Sequence, residues 1–191
     1  RSTLKALQAL PFIQGGGAAH FGFLPQQVAL MCASHNGEDG HVVQVQGMLA
    51  KAGLSYKALR CGCHVPGIFT QLETAPPPDL RYDERHNNCS GKHAGFLAYC
   101  VQHGLDLEDY LEPMHPLQQA IRRDVARVVG LDPQDLRLGI DGCSAPNYAM
   151  PLSALAYGYA RLASGVLDDE FGVSFSTLGE AMTAHPDMVS G

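Results

Sequence analysis

Apolar residues recur at helical spacing along most of this chain, and only residues 136–140 have the pattern of a strand. That strand runs directly into the polar sequence Asp141-Gly142-Cys143. Apolar spacing, proline starts and glycine stops predict helices over residues 2–10, 25–31, 41–52, 92–103, 116–129, 151–163 and 175–184. One strand cannot form a sheet, so we expect a helix-rich chain. If its fold contains a sheet, most of that sheet lies outside these residues.

The segment 60–88 interrupts the helical pattern. It contains Gly62, Pro66, Gly67 and the run Pro76-Pro77-Pro78, which predict a long irregular connection. Loops of this length are functional or disordered. The motifs on either side favour a functional loop.

Composition sets limits on the class of protein. The chain has 191 residues, of which 46% are hydrophobic and 17% charged, so it can bury a core, and we predict a single domain over 1–191. The net charge of −6 argues against nucleic-acid and anionic-membrane partners, which both favour basic patches. No apolar run approaches the roughly 18 residues that span a bilayer.

The start of the sequence and its cysteines bear on the cellular location of the protein. No apolar segment of a signal peptide follows Arg1, and a chain of this size does not need disulfides. We therefore expect the six cysteines to be free thiols in the cytoplasm. Because the first residue is not Met and a motif starts at residue 2, we also expect the chain to be a piece of a longer protein.

The first motif is Ser2-x-x-Lys5, which places a hydroxyl and an amine on one face of a helical turn. A buried lysine with a lowered pKa can take the serine proton and make the hydroxyl a nucleophile. Taken alone, the pair is far more typical of a helix cap followed by a solvated lysine, and the other motifs of the chain are what favour the catalytic interpretation.

A second polar loop spans residues 33–41 and carries Ser34, two histidines and two carboxylates. One interpretation is a capped turn, in which Ser34 or Asp39 caps the following helix. The other makes Ser34 a second catalytic hydroxyl or a substrate ligand. The sequence leaves both interpretations open.

Two cysteine-bearing segments, 86–93 and 141–147, invite a metal ion. Cys89, Lys92 and Cys143 would offer two thiolates and a nitrogen with one open position, which suits Zn²⁺. His93 is the rival nitrogen donor, and Asp141 is placed to orient a ligand or a water. Buried structural thiols are the competing interpretation. Cys32 and Cys100 lie in apolar stretches and are predicted to be core residues, whereas Cys61-Gly62-Cys63 is too closely spaced for a normal chelating pair.

In combination and in order, these motifs resemble the asparaginase II family of the Rhizobium etli type. The resemblance covers the whole chain and is carried by the following segments: Arg1-Ser2-x-x-Lys5, Ala33-Ser34-His35-Asn36-Gly37-Glu38-Asp39, His86-Asn87-Asn88-Cys89-Ser90-Gly91-Lys92-His93 and Asp141-Gly142-Cys143-Ser144-Ala145-Pro146.

The resemblance implies an α/β (α+β) fold like that of serine β-lactamases and glutaminases, an antiparallel sheet flanked by helices, only partly covered by this chain. It implies hydrolysis of L-asparagine to L-aspartate and ammonia by a homodimer. It also implies that Ser2 is the nucleophile, that Lys5 is its activating base and that Ser34 is a second active-site serine. By the same resemblance, the zinc ligands are Cys89, Lys92 and Cys143, and Asp141 lies beside them.

The chain departs from that family in extent, since a second lysine of the family's active site comes from a region beyond residue 191. Two alternatives therefore stay open. One is a glutaminase or another serine amidohydrolase of the same fold, and the other is an inactive zinc-binding fragment.

Overall fold

The computed structural model describes residues 2–191, except for the side chain of Ser2. Within that part, eleven α-helices are joined by turns, several longer loops and one β-hairpin. The helices are α1 Lys5–Gln8, α2 Leu10–Gln14, α3 Gly17–Phe21, α4 Pro25–Met31, α5 Asp39–Lys51, α6 Gly67–Gln71, α7 Ser90–His103, α8 Pro116–Val129, α9 Leu152–Ser164, α10 Gly172–Ala184 and α11 Pro186–Val189, and the strands are β1 Arg137–Ile140 and β2 Pro146–Ala149.

Single 3-10 turns lie between several of these elements. They span Ser2–Leu4, Tyr56–Ala58, Glu84–His86, Pro133–Asp135 and Gly165–Leu167. The architecture is mostly helical with a small antiparallel sheet, which is consistent with the expected α/β class. No helix among the described residues is long and apolar enough to cross a membrane.

Helices α4 and α7 form the centre of the molecule. They pack on each other, α5 packs against both, and α10 lies against α4. The close approach depends on Gly91 of α7, because a Cβ there would collide with the backbone carbonyl of Leu30 on α4. Leu30 and Leu97 are fully buried between these helices.

The short helix α1 is buried along its whole length and packs on α8. Gln8 fastens it to the hairpin, because its Nε2 donates to the carbonyl oxygen of Pro146 at 3.1 Å. This anchoring brings Lys5 to the interior of the molecule, where its side chain is only 1% exposed.

The hairpin positions the second cysteine segment. β1 pairs with β2 in antiparallel register, with Leu138 opposite Tyr148. The connecting turn is closed by a hydrogen bond of 2.9 Å from the Asp141 amide to the Ala145 carbonyl, and Ser144 takes a left-handed φ of 66°. The turn directs Cys143 inward, whereas all four residues of β1 are exposed.

Several sequence predictions are confirmed here, and others are not. Helices were predicted over 25–31 and 116–129, and α4 and α8 have those bounds. The predicted strand is β1, but β2, α3 and α11 were missed. Helix α6 was missed as well, because it lies within the segment 60–88 that was predicted to be irregular. The helix predicted over 151–163 is α9, which buries Gly158 and Leu162 and exposes most of its other residues.

The predicted states of the cysteines are confirmed. All six are free thiols. Cys32 and Cys100 are buried as predicted core residues. In the loop at 61–63, Cys61 is buried and Cys63 is exposed, so the two side chains do not share one environment.

Candidate functional site

The Lys5 amine is the point where three distant segments meet. Its Nζ lies 2.8 Å from Ser34 Oγ and 3.4 Å from the carbonyl oxygen of Asn88, and it also contacts the carbonyl oxygen of Ala33. Burial lowers the pKa of this amine, because the charged form is poorly solvated in the interior. The sulfur of Cys89 acts in the opposite direction and favours the ammonium.

Two of the partners of Lys5 are carbonyl oxygens, which can only accept hydrogen bonds. A neutral amine has two N–H groups for those carbonyls and one lone pair. The Ser34 hydroxyl is a partner that can donate to this lone pair, and the Cys89 thiol is another. The arrangement therefore suits a lysine that exchanges a proton with a hydroxyl.

Ser34 occupies the loop between α4 and α5 and does not cap a helix. Its backbone amide donates to the carbonyl oxygen of Val189 at 3.1 Å, which fixes the loop against α11. Helix α5 begins at Asp39, after Glu38. The capping interpretation of Ser34 is therefore wrong, and its hydroxyl faces Lys5 instead. The side chain of Ser2, the predicted nucleophile, lies outside the described part of the structure.

The two cysteines of the predicted metal site lie together although they are distant in sequence. Cys89 is 5% exposed at the start of α7, and Cys143 is 3% exposed in the hairpin turn. Their thiols are hydrogen-bonded to each other, which raises the pKa of Cys89 and lowers that of Cys143.

Lys92 joins the same cluster, one helical turn along α7 from Cys89. Its side chain is 2% exposed, and its Nζ lies 3.3 Å from Cys143 Sγ. The structure thus brings Lys5, Ser34, Cys89, Lys92 and Cys143 into one buried region.

His93 is fully buried beside this cluster and is held by another aromatic side chain. Its Nδ1 lies 2.7 Å from the hydroxyl of Tyr110. Burial lowers the pKa of His93 to about 4, so the ring is neutral near pH 7. Within the described residues its Nε2 is buried and has no hydrogen-bond partner.

Asp141 lies at the mouth of the site. Its Oδ1 accepts from the Gly142 amide at 2.7 Å and its Oδ2 accepts from Asn147 at 3.3 Å, so the carboxylate is oriented by its own turn. A cavity of about 260 Å³ opens here. It is lined by His64, Asn87, Asn88, Cys89, Asp141, Gly142 and Cys143.

Sequence reasoning missed two residues of this site. Asn87 fixes Cys89 by accepting from its amide at 2.9 Å while donating to the carbonyl oxygen of Cys61 at 2.9 Å. His64 accepts from the Asn88 amide at 3.3 Å and lines the cavity. The position of Asn87 two residues before Cys89 was a usable signal, whereas nothing in the irregular 60–88 segment pointed to His64.

The donor atoms suit a soft divalent metal. Among the residues that the structure describes, His, Cys, Asp and Glu do not form a metal-binding group of three or more. The predicted set has only two such residues, and its third member is a lysine. Two adjoining thiols and an amine nitrogen beside an open cavity fit the three-ligand pattern of zinc with one position left for water or substrate.

The buried amine of Lys5 next to the Ser34 hydroxyl thus adjoins a thiol pair that lines a polar cavity. The L-asparaginase II family model matches residues 1–191, and the chain belongs to this family. Membership indicates an amidohydrolase that acts on a small molecule, L-asparagine. Among curated proteins there is no match.

Proposed function

We propose that this protein is an L-asparaginase that hydrolyses L-asparagine to L-aspartate and ammonia with a serine nucleophile activated by lysine. The observation that carries the proposal is the buried amine of Lys5, with a lowered pKa, 2.8 Å from the Ser34 hydroxyl. A lysine kept in the interior is costly to fold unless its neutral form has a use, and Lys5 has no carboxylate partner among the described residues.

In this mechanism Lys5 accepts the Ser2 proton as the serine oxygen attacks the side-chain amide carbon of asparagine. The C–N bond then breaks, the nitrogen takes a proton and leaves as ammonia, and an aspartyl ester remains on Ser2. Water hydrolyses the ester, which releases aspartate and regenerates the hydroxyl. Ser34 shares the Lys5 amine and serves as the second hydroxyl through which that proton is exchanged.

Cys89, Lys92 and Cys143 would hold a zinc ion, with Asp141 orienting the group in the open position. When bound, zinc would supply a Lewis acid that assists substrate binding beside the Ser-Lys pair. The chain's own residues prepare this site, because Asn87 fixes Cys89 and the hairpin turn fixes Cys143. Lys92 must lose its proton to ligate, which a divalent cation favours.

Three further features are part of the proposal and follow from the resemblance of the motifs. They are a fold like that of the serine β-lactamases, a relationship to the Rhizobium etli type of asparaginase, and a cytoplasmic homodimer. The free state of all six cysteines supports a reducing compartment.

Ammonia release tests the proposal. The purified protein should release ammonia from L-asparagine faster than from L-glutamine, and it should not open a chromogenic β-lactam. Ser2→Ala should abolish turnover, whereas Ser153→Ala, at an exposed position on α9, should leave it unchanged. Preferred turnover of glutamine or of the β-lactam would contradict the proposal, as would full activity of Ser2→Ala.

A further inference from the structure

One edge of strand β1 faces away from the rest of the described residues. The Asp141 amide donates to the Ala145 carbonyl, so the backbone groups of Asp141 point toward the β2 side. In an antiparallel pair this direction alternates from one residue to the next. The register of β1 and β2 therefore directs the backbone N–H and C=O groups of Leu138 and Ile140 away from β2. All four residues of β1 are exposed, so these groups lie at the surface.

The outer edge of β2, in contrast, is closed. Pro146 has no N–H, and its carbonyl oxygen accepts from Gln8 Nε2 at 3.1 Å. The Tyr148 amide donates to the side-chain oxygen of Asn147 at 2.9 Å. Three of the four residues of β2 are buried. A further strand that joins this hairpin therefore lies beside β1.

The side chains of β1 make one face of this edge apolar. Leu138 is 48% exposed and Ile140 is 58% exposed, and they share a face because they are two positions apart. A groove of about 370 Å³ follows the hairpin and is lined by both side chains. Proteins usually protect an edge strand with a lysine, a proline or a bulge. Strand β1 has none of these, so its edge is open to a partner strand.

The sequence around β1 matches itself when it is reversed about Gly139. Before this glycine come Arg137 and Leu138, a cation and an apolar residue. After it come Ile140 and Asp141, an apolar residue and an anion. When two such strands pair in opposite directions with the glycines facing each other, each leucine meets an isoleucine and each arginine lies opposite an aspartate. A patch that complements itself in this way is what a twofold dimer requires.

We propose that β1 is a dimerisation strand, which pairs with β1 of a second copy of this chain across a twofold axis at Gly139. In this register Leu138 and Ile140 of the two copies exchange four backbone hydrogen bonds, and the two hairpins form one antiparallel sheet. Strands this short bury less than the roughly 1,200 Å² of stable interfaces, so the dimer is reversible. The proposal rests on the proposed function for the homodimer alone, whose surface it names, and not for the asparaginase activity.

Sedimentation velocity measures the dimer. Between about 1 μM and about 1 mM, the protein should show a reversible monomer–dimer equilibrium. Leu138→Pro removes an N–H that points away from β2, so the hairpin can stay while two of the four hydrogen bonds between the copies are lost. The dimer Kd should rise about 10-fold or more.

A lysine on the same edge gives a second variant with a matched control. Leu138→Lys should also raise the Kd, because it places a charge against the isoleucine of the second copy. Val43→Lys makes the same change of charge at a 64% exposed position on α5 and should leave the Kd unchanged. Since each copy has a net charge of −6, an added cation lowers the general repulsion between copies, and a weaker dimer in Leu138→Lys is specific to the edge.

A single cysteine tests the register. In the proposed dimer the two Gly139 Cα atoms lie about 4.5 Å apart, a distance that a disulfide can bridge. A cysteine fits at this position, because a Cβ on Gly139 meets no atom closer than 4.0 Å. With the exposed native cysteine removed by Cys63→Ser, Gly139→Cys should form a covalent dimer when glutathione disulfide is added. Ser55→Cys, at an exposed position, should not.

Three results would overturn the proposal. A monomer at every concentration would refute it together with the homodimer of the proposed function, whereas ammonia release would still judge the asparaginase activity separately. An unchanged Kd in both Leu138 variants would show that the copies meet elsewhere. Slow amide exchange of Leu138 and Ile140 in the monomer would show that a different strand covers this edge. Where Leu138→Pro loses the hairpin, Leu138→Lys and the cross-link decide.

Discussion

Lys5 and Ser34 come from segments 29 residues apart, and they meet at 2.8 Å in the interior of the protein. Burial of the amine is the physical reason that the pair can work as base and hydroxyl, because it lowers the pKa of Lys5. On α1, the hydrogen bond from Gln8 to the hairpin keeps this amine in place.

Replacement of Ser34 tests whether its hydroxyl takes part in proton exchange. Ser34→Ala removes the hydroxyl that lies 2.8 Å from the Lys5 amine, and we expect kcat for asparagine to fall about 10²- to 10⁴-fold, as for a lost acid–base group. Steady-state ammonia release measures this. Ser55→Ala, at an exposed position, is the matched control. An unchanged kcat in Ser34→Ala would limit this serine to a structural role.

Replacement of Cys143 tests the metal site. Cys143→Ser exchanges a thiolate ligand for a hydroxyl, so zinc affinity should fall by about 10-fold or more, with a higher KM for asparagine. Elemental analysis of the purified protein measures the metal content. Cys63→Ser alters an exposed cysteine and should keep the full content. Equal metal in the two variants would show that Cys143 is not a ligand.

The glycine of the Cys89-Ser90-Gly91-Lys92 segment has a packing role that can be tested by stability. Gly91→Ala places a methyl group against the Leu30 carbonyl of α4, and we expect a loss of about 1–3 kcal/mol in the free energy of unfolding. Gly179→Ala is the contrast, because a Cβ there meets nothing within 4 Å.

In Gly179→Ala the added methyl group should stabilise α10 by about 0.5–1 kcal/mol. Urea unfolding of both variants gives the comparison. A neutral Gly91→Ala would mean that α4 and α7 are not packed as closely as described.

The stability of the protein should depend on pH through His35. This ring is 1% exposed, its Nδ1 accepts from the Gly37 amide at 3.1 Å, and its Nε2 lies 2.9 Å from Ser90 Oγ. Burial lowers its pKa to about 3. Since the unfolded chain has the ordinary value of about 6.5, it binds more protons than the folded one between these two values.

The contribution of His35 to the free energy of unfolding should therefore fall as the pH drops from about 6.5 toward 3, by about 2 kcal/mol at pH 5. His35→Gln should reduce this slope, whereas His20→Gln, at an exposed position, should keep it. Urea unfolding at several pH values measures the slopes. An identical slope in His35→Gln and in the unmodified protein would refute the role of this histidine.

The sequence predicted best where one residue type determines the local backbone. Pro25 and Pro116 each start a helix because their fixed φ suits the first helical position. Gly130 ends α8 because it takes a left-handed φ of 69°. In contrast, β2 has four residues and starts at a proline, so its strand conformation comes from pairing with β1 rather than from its own pattern.

For the site, the residue types could be predicted but their partners could not. The spacing of Ser2 and Lys5 gave no sign that the amine would be buried against Ser34 and Asn88. The hydrogen bond between His93 and Tyr110 joins a helix to a loop, and no periodicity reports such a contact. These features depend on tertiary packing, which sequence patterns do not specify.

The most direct test of the account is the rate of ammonia release from L-asparagine by Lys5→Met. Methionine has a similar length, so the buried site can stay packed while the amine is lost. We predict a kcat about 10²- to 10⁴-fold below that of the unmodified protein, with full activity in the exposed-site control Lys57→Met. A folded Lys5→Met variant with normal turnover would contradict the account.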